Sequence, residues 1–180
     1  MKNQSDEILV RAVLAGRKEA YEKLYDRYAA LVRAVCYDTT RNLADAQDLA
    51  QDVLMRAYEK LEQLRDPDRF GNWLVAIARL RGREWRRKKL RDSKRCAQVS
   101  NVKPDTDDQP DHSRIEQLRE TIAMLPEKER LALHAFYLQG KSADNACRVM
   151  GLSRSGFYCV LDRARKRLER LLAREMENIR

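Results

Sequence analysis

The chain has 180 residues, of which 36% are charged, 43% hydrophobic and 7% aromatic, and its formal net charge is +9. That apolar content supports one ordinary domain or two small ones and excludes wholesale disorder. Six glycines and four prolines, among abundant Ala, Leu, Arg, Glu and Lys, predict an all-α fold, and no apolar run reaches the roughly 20 residues that a bilayer span needs.

Ser5 is placed to cap a first helix, with Asp6 and Glu7 in its positive first turn. Gly16 marks its end. A second helix carries Tyr21, Leu24, Tyr25, Tyr28, Leu31, Val32 and Val35 at three-four spacing. Asn42 is a cap for a third, whose apolar stripe is Ala46, Leu49, Ala50, Val53, Ala57 and Leu61. Asp66-Pro67-Asp68 then breaks the chain. A fourth helix from about Phe70 buries Phe70, Trp73, Leu74 and Ile77 and runs into a basic tract. From Arg91 to Asp111 the apolar periodicity is lost, and Pro104 and Pro110 bracket an acidic stretch. The expected organisation is therefore two small helical domains, 1–91 and 113–180, joined by a flexible linker over 92–112.

In the second domain, Ser113-Arg-Ile-Glu116 reads as a capping box. Pro126 suits a first helical position, Gly140 closes that helix, and Ser142 caps a short one. Gly151-Leu152-Ser153 is a tight turn followed by a new cap. A long last helix, over 154–177, turns Phe157, Leu161, Ala164, Leu168 and Leu171 inward. A short helix, a glycine turn and a capped basic helix make a helix-turn-helix.

Three features carry function. Residues 79–95 hold ten Lys/Arg against two acids, a net of +8. On a helix, Arg79, Arg83 and Arg86 fall opposite the Phe70/Trp73/Ile77 face. Cations at this density repel one another unless a polyanion neutralises them, which points to nucleic acid; the alternative is a solvated helix end. The last helix offers Arg154, Ser155, Tyr158, Cys159 and Asp162 to a major groove, although an ordinary helical hairpin could look alike. The third helix leaves Asp48, Asp52, Met55 and Glu59 opposite its core stripe, with Gln51 alongside. An exposed Met among acids suits a protein partner of complementary charge; a solvated acidic face is the other reading. Cys36, Cys96, Cys147 and Cys159 form no CxxC pair and no secretory leader opens the chain, so a cytoplasmic protein with reduced thiols is expected. Together with His112 and His134 the cysteines lack zinc spacing. No catalytic constellation is recognisable, so neither enzymatic activity nor a cofactor is expected.

The order of these features resembles the bacterial sigma-70 family, in its extracytoplasmic-function group. Ala20-Tyr-Glu-Lys-Leu-Tyr-Asp-Arg-Tyr28 resembles the start of sigma region 2. Asp45-Ala-Gln-Asp-Leu-Ala-Gln-Asp-Val-Leu-Met-Arg-Ala-Tyr58 resembles the motif that grips the β′ clamp helices of core RNA polymerase. Phe70-Gly-Asn-Trp-Leu-Val-Ala-Ile-Ala-Arg79 with Glu84-Trp-Arg-Arg87 resembles the element that opens and reads the −10 promoter region. Leu125-Pro-Glu-Lys-Glu-Arg130, Gly151-Leu-Ser153 and Arg163-Ala-Arg-Lys-Arg-Leu168 resemble region 4, which reads the −35 element.

The resemblance implies a sigma factor that directs promoter recognition and transcription initiation. Asp48, Leu49, Gln51, Asp52 and Met55 would contact polymerase. Phe70, Arg79, Arg83, Arg86 and Arg87 would serve the −10 strand, with the loop 66–70 as a pocket for a flipped base; Trp73 reads as core. Arg154, Ser155, Tyr158, Arg163 and Lys166 would face the −35 duplex. It also implies the β flap of polymerase as a partner, an anti-sigma protein, and no membrane insertion. The chain departs from the family pattern at Leu80, where Asn is usual, and at Glu84, where Asp is. It departs again over Gly156-Phe-Tyr-Cys-Val160 and at Asp162, which would repel phosphate. The alternatives from other classes are a stand-alone helix-turn-helix regulator and an RNA-binding adaptor.

Overall fold

The computed structural model describes residues 4–96 and 110–178, with side chains over 4–93 and 115–174. Its helices are α1 (Asp6–Leu14), α2 (Glu19–Thr40), α3 (Leu43–Glu59), α4 (Phe70–Cys96), α5 (Pro110–Ala123), α6 (Glu127–Tyr137), α7 (Ala143–Met150) and α8 (Arg154–Asn178). No strand occurs among the described residues. The caps follow from short polar side chains that satisfy orphan amides. Asn42 Oδ1 accepts from the Asp45 amide at 2.9 Å, Ser142 Oγ from Asn145 at 3.3 Å and Ser153 Oγ from Gly156 at 3.2 Å.

Several helix ends differ from the sequence expectation, among them that of α6, where Leu138 is the cap residue and Gly140 lies two residues beyond it at φ 67°. Ala15 closes α1, and Gly16 carries the turn after it at φ 89°. Pro126 is the cap residue before α6, not its first helical residue. α5 starts at Pro110, so Ser113 lies inside the helix instead of capping it; a proline tolerates the first turn because that amide has no intrahelical acceptor. α4 runs on to Cys96, and most of the stretch read as linker, 97–109, lies outside the described residues.

α2 is the centre of the first half. Its Leu24, Tyr28, Leu31 and Val32 are buried against Val53 and Leu54 of α3 and Phe70, Leu74 and Val75 of α4. In the second half α6, α7 and α8 enclose Leu131, Ala132, Ala146, Phe157 and Leu161. The α7–α8 turn rests on Gly151 at φ 64°. The Leu152 amide reaches the Cys147 carbonyl at 3.1 Å and closes the helix end. Gly151→Ala is expected to cost about 1–2 kcal/mol, read as a lower urea midpoint by circular dichroism. A methyl there would also stand 3.3 Å from Asn72 Nδ2.

The two halves pack directly on one another, and their buried residues form one continuous core. Asn72 Nδ2 donates to the Val149 carbonyl at 2.9 Å. Arg130 meets Asp38 at 2.9 Å and Arg79 meets Glu127 at 2.7 Å. Gly71 allows the closest approach, since a Cβ there would fall 2.7 Å from Tyr28 Oη and 2.8 Å from Val149 Cγ2.

Candidate polymerase and nucleic-acid interfaces

On α3, Asp48, Gln51 and Met55 are exposed, Met55 at 58%. Leu49 is buried; the three-four spacing that puts it in the apolar stripe turns it inward, so it holds this face and does not present it. Asp52 is half-buried, and its carboxylate accepts from Arg81 Nε at 2.7 Å. Arg81 also bonds Glu84, and Lys89 reaches Asp45 at 3.0 Å. The basic side of α4 therefore folds over part of the acidic side of α3. Sequence reasoning missed these pairs; the opposite charges of 45–59 and 79–95 were the available signal.

Beside Met55 lies a groove of about 420 Å³ between α2 and α3, lined by Tyr21, Tyr25, Leu54 and Tyr58 among others. Tyr25 belongs to this rim at 43% exposure, not to the core. Tyr21 packs edge-on to Tyr58, with ring centroids 4.9 Å apart, and donates its hydroxyl to the Leu54 carbonyl. Burial, with the neighbouring tyrosines, pushes the Tyr21 hydroxyl far above its ordinary range, so it stays a neutral donor and the groove keeps its shape.

Phe70, expected at the −10 surface, is 1% exposed. It sits between Tyr28 (5.4 Å) and Trp73 (6.0 Å) and anchors the start of α4 from inside, so it is not free to stack on a base. Arg83, Arg86 and Arg87 are exposed along α4, whereas Arg79 is half-buried against Glu127. In the loop before α4, Asp66 Oδ1 accepts from the Asp68 amide at 3.2 Å, and Asp68 faces Arg148 of α7 at 3.6 Å. A cleft of about 250 Å³ between the halves is lined by Asp38, Arg79, Arg83, Arg86, Glu127 and Arg130 among others. Burial pushes the Asp38 carboxyl up, but His134 (3.5 Å) and Arg130 outweigh it and hold it below the ordinary carboxylate range.

On α8, Arg154, Ser155, Tyr158, Arg163 and Lys166 are all exposed, opposite buried Phe157, Leu161 and Ala164. Asp162 pairs with Lys166 at 2.9 Å. Behind this face, α5, α6 and α8 form an apolar groove of about 790 Å³ with Leu118, Ile122, Leu133, Tyr137, Leu138 and Leu168 in its walls. The cysteines differ in exposure: Cys36 is buried and Cys159 exposed. Burial, with the charges of Asp52 and Asp38, pushes the Cys36 thiol up to about 12, which leaves about one part in ten thousand as thiolate at pH 8. A maleimide at that pH should label Cys159 and spare Cys36 until denaturant is added, as read by peptide mass spectrometry.

The surfaces just described coincide with two family matches. The model for Sigma-70 region 2 matches residues 24–92, and that for Sigma-70, region 4 matches residues 115–168. Together they cover about two thirds of the chain. The chain belongs to the sigma-70 family. Among its relatives, this sigma-70 protein is 28% identical over 159 residues to the probable RNA polymerase sigma factor RfaY of Xanthomonas campestris pv. campestris, a match spanning 84% of the chain and 40% of the relative. It is 28% identical over 175 residues to the ECF RNA polymerase sigma factor SigM of Mycobacterium tuberculosis, spanning 94% of the chain and 85% of the relative. The chain thus spans less than half the length of one of these curated relatives and most of the other. Two solved structures share the fold. CnrH in complex with the cytosolic domain of CnrY has a TM-score of 0.64 at 24% identity, covering 94% of this chain and 98% of that one. The sigma factor RpoE in complex with the anti-sigma factor NepR, from Bartonella quintana, has a TM-score of 0.54 at 22% identity, covering 85% and 96%. No helix among the described residues is long and apolar enough to cross a membrane.

Proposed function

We propose that this sigma factor binds core RNA polymerase through α3 and brings two promoter-reading surfaces to the −10 and −35 elements. The observation that carries the reading is the opposed charge on the matched regions. An acidic, Met-bearing face with an aromatic groove lies on α3, and arginine-rich faces lie on α4 and α8. Asp48, Gln51, Asp52 and Met55 contact the β′ clamp helices, and the apolar groove behind α8 takes the β flap. Arg79, Arg83, Arg86 and Arg87 hold the −10 backbone, while Arg154, Ser155, Tyr158, Arg163 and Lys166 meet the −35 duplex. Residues 1–91 and 113–180 act as the two working domains, with 92–112 setting the distance between them. The protein works in the cytoplasm and catalyses no reaction of its own. An anti-sigma protein holds it inactive; likeness to CnrH and RpoE, each solved with a bound partner, supports this.

The test is size-exclusion co-elution with sigma-free core polymerase from the source organism. A stoichiometric complex is expected. Failure to co-elute, with tight duplex binding by the protein alone, would establish the stand-alone regulator instead. A second expectation concerns Asp162, whose carboxylate occupies Lys166. Asp162→Asn should strengthen −35 duplex binding several-fold. It should also steepen the salt dependence by about one phosphate contact, a change near 0.9 in the slope of log K against log salt. Fluorescence anisotropy across a salt series reads both.

A further inference from the structure

We propose that the cleft between α2, α4 and α6 is a binding site for a small free ligand of the diphosphate class, either inorganic pyrophosphate or the diphosphate end of a nucleotide. Its volume is about 250 Å³. Pockets that enclose whole drug-sized molecules run to roughly 300–1,000 Å³, so this cleft admits a diphosphate and leaves any attached nucleoside outside.

The lining chemistry selects an anion. Arg79, Arg83, Arg86 and Arg130 face Asp38 and Glu127, four guanidinia against two carboxylates. Both carboxylates are engaged, Asp38 with Arg130 at 2.9 Å and Glu127 with Arg79 at 2.7 Å. Arg83 and Arg86 have no ion pair or hydrogen bond to any other described residue, so two positive charges stand without a counterion. Arg79, Arg83 and Arg86 recur at three-four spacing and share one face of α4. Arg130 approaches from α6 already fixed. Its Nε donates to Asp38, and its Nη1 donates to the Ala123 and Leu125 carbonyls at 3.1 and 2.6 Å. Its Nη2 has no partner among the described residues. A guanidinium held this way meets a phosphate oxygen with little further loss of side-chain freedom.

Two more donors stand at the same walls. Thr39 lines the cleft, and its hydroxyl makes no hydrogen bond among the described residues. Gly82 lets α4 approach it, since a Cβ there would fall 3.0 Å from Thr39 Oγ1. α6 begins at Glu127 after Pro126, with no side-chain cap, so the positive end of its dipole lies at the cleft. Val35 and Leu131 complete the lining and strengthen these charges by keeping the dielectric low. A strand phosphodiester brings one negative charge to such a site. A diphosphate brings more than one, with the extra oxygens that Thr39 and Arg130 require.

Isothermal titration of the full chain with inorganic pyrophosphate, at constant ionic strength and without magnesium, tests the site. Saturable one-to-one binding is expected, about tenfold or more tighter than sulfate. Arg86→Gln should weaken it about tenfold, and Thr39→Val several-fold, as charged and neutral donors lost to an anion do. Lys88→Gln makes the same charge change at an exposed position of α4 outside the cleft and should leave the affinity within about twofold, as a screened surface charge does. Circular dichroism should be unchanged in all three. Equal losses in Arg86→Gln and Lys88→Gln would mean a diffuse basic surface and overturn the site. Equal affinity for sulfate would overturn the diphosphate class. The source of the phosphate is separated with a labelled oligothymidylate strand and Thr39→Val. Unchanged strand binding, beside weakened pyrophosphate binding, supports a small-ligand site. Equal weakening of both would assign the cleft to the strand's own phosphates instead. Absence of strand binding in every protein, with pyrophosphate still bound, would count against the −10 reading and leave this site standing.

Discussion

Asp48→Lys should weaken binding to core RNA polymerase by about a hundredfold or more while leaving helical content and urea midpoint unchanged. Asp48 is exposed on α3 and has no hydrogen bond or ion pair to any other described residue. Its reversal therefore acts on an interface alone. A like charge set against a complementary patch costs several kcal/mol, and about 2.8 kcal/mol is a hundredfold in affinity. Asp52 is a less direct probe, because its carboxylate already holds Arg81. Asp52→Lys would push a second cation against that guanidinium and loosen α4, so Asp52→Asn is the better companion. Titration of labelled polymerase measures both. Undiminished affinity in Asp48→Lys would remove α3 from the interface.

The second large effect is structural. Asp6→Ala should cost about 3–5 kcal/mol, the usual loss when one partner of a buried ion pair is removed. Asp6 is 2% exposed, pairs with Arg27 and accepts from the Tyr28 hydroxyl. Arg27 also reaches the Gln4 carbonyl at 2.8 Å. Burial, and then the Asp6 charge and hydrogen bond, push the Tyr28 hydroxyl far above its ordinary range, so Tyr28 remains a neutral donor. Truncation to Ala leaves the Tyr28 hydroxyl without its acceptor, removes the carboxylate from Arg27 and frees α1 from α2. A loss of that size is a large part of the 5–15 kcal/mol that stabilises a typical domain. Urea unfolding followed by circular dichroism measures it. Asp6→Asn, which keeps one acceptor oxygen, should lose less.

The helices were legible because this chain obeys local rules. Asn42, Ser142 and Ser153 sit where caps belong, and the stripe from Ala46 to Leu61 is buried as its spacing predicts. What periodicity cannot give is the partner of a polar residue. Asp6 looked like a favourable charge in a first turn, yet it is a buried acceptor whose partners lie 21 and 22 residues away. Leu49 and Phe70 were placed at surfaces because motif resemblance assigns roles to positions, whereas helical phase decides which side a side chain faces. Arg81 was one cation among ten until packing set it against Asp52. The contact between the halves was also hidden, since Glu127, Arg130 and Asn72 are unremarkable until tertiary structure brings them to Arg79, Asp38 and Val149.

Both tryptophans of the chain lie on α4. Trp73 is half-buried beside Phe70, and Trp85 carries the Lys89 ammonium 4.6 Å above its ring. Emission excited at the red edge of the indole band therefore arises from the first half alone, since the helix-turn-helix carries no indole. Unfolding curves from emission and from circular dichroism will coincide only if the halves melt together. Lys89 also makes Trp85 an intrinsic optical sensor: a phosphate backbone that draws the ammonium off the ring changes the emission, without any dye attached to the protein.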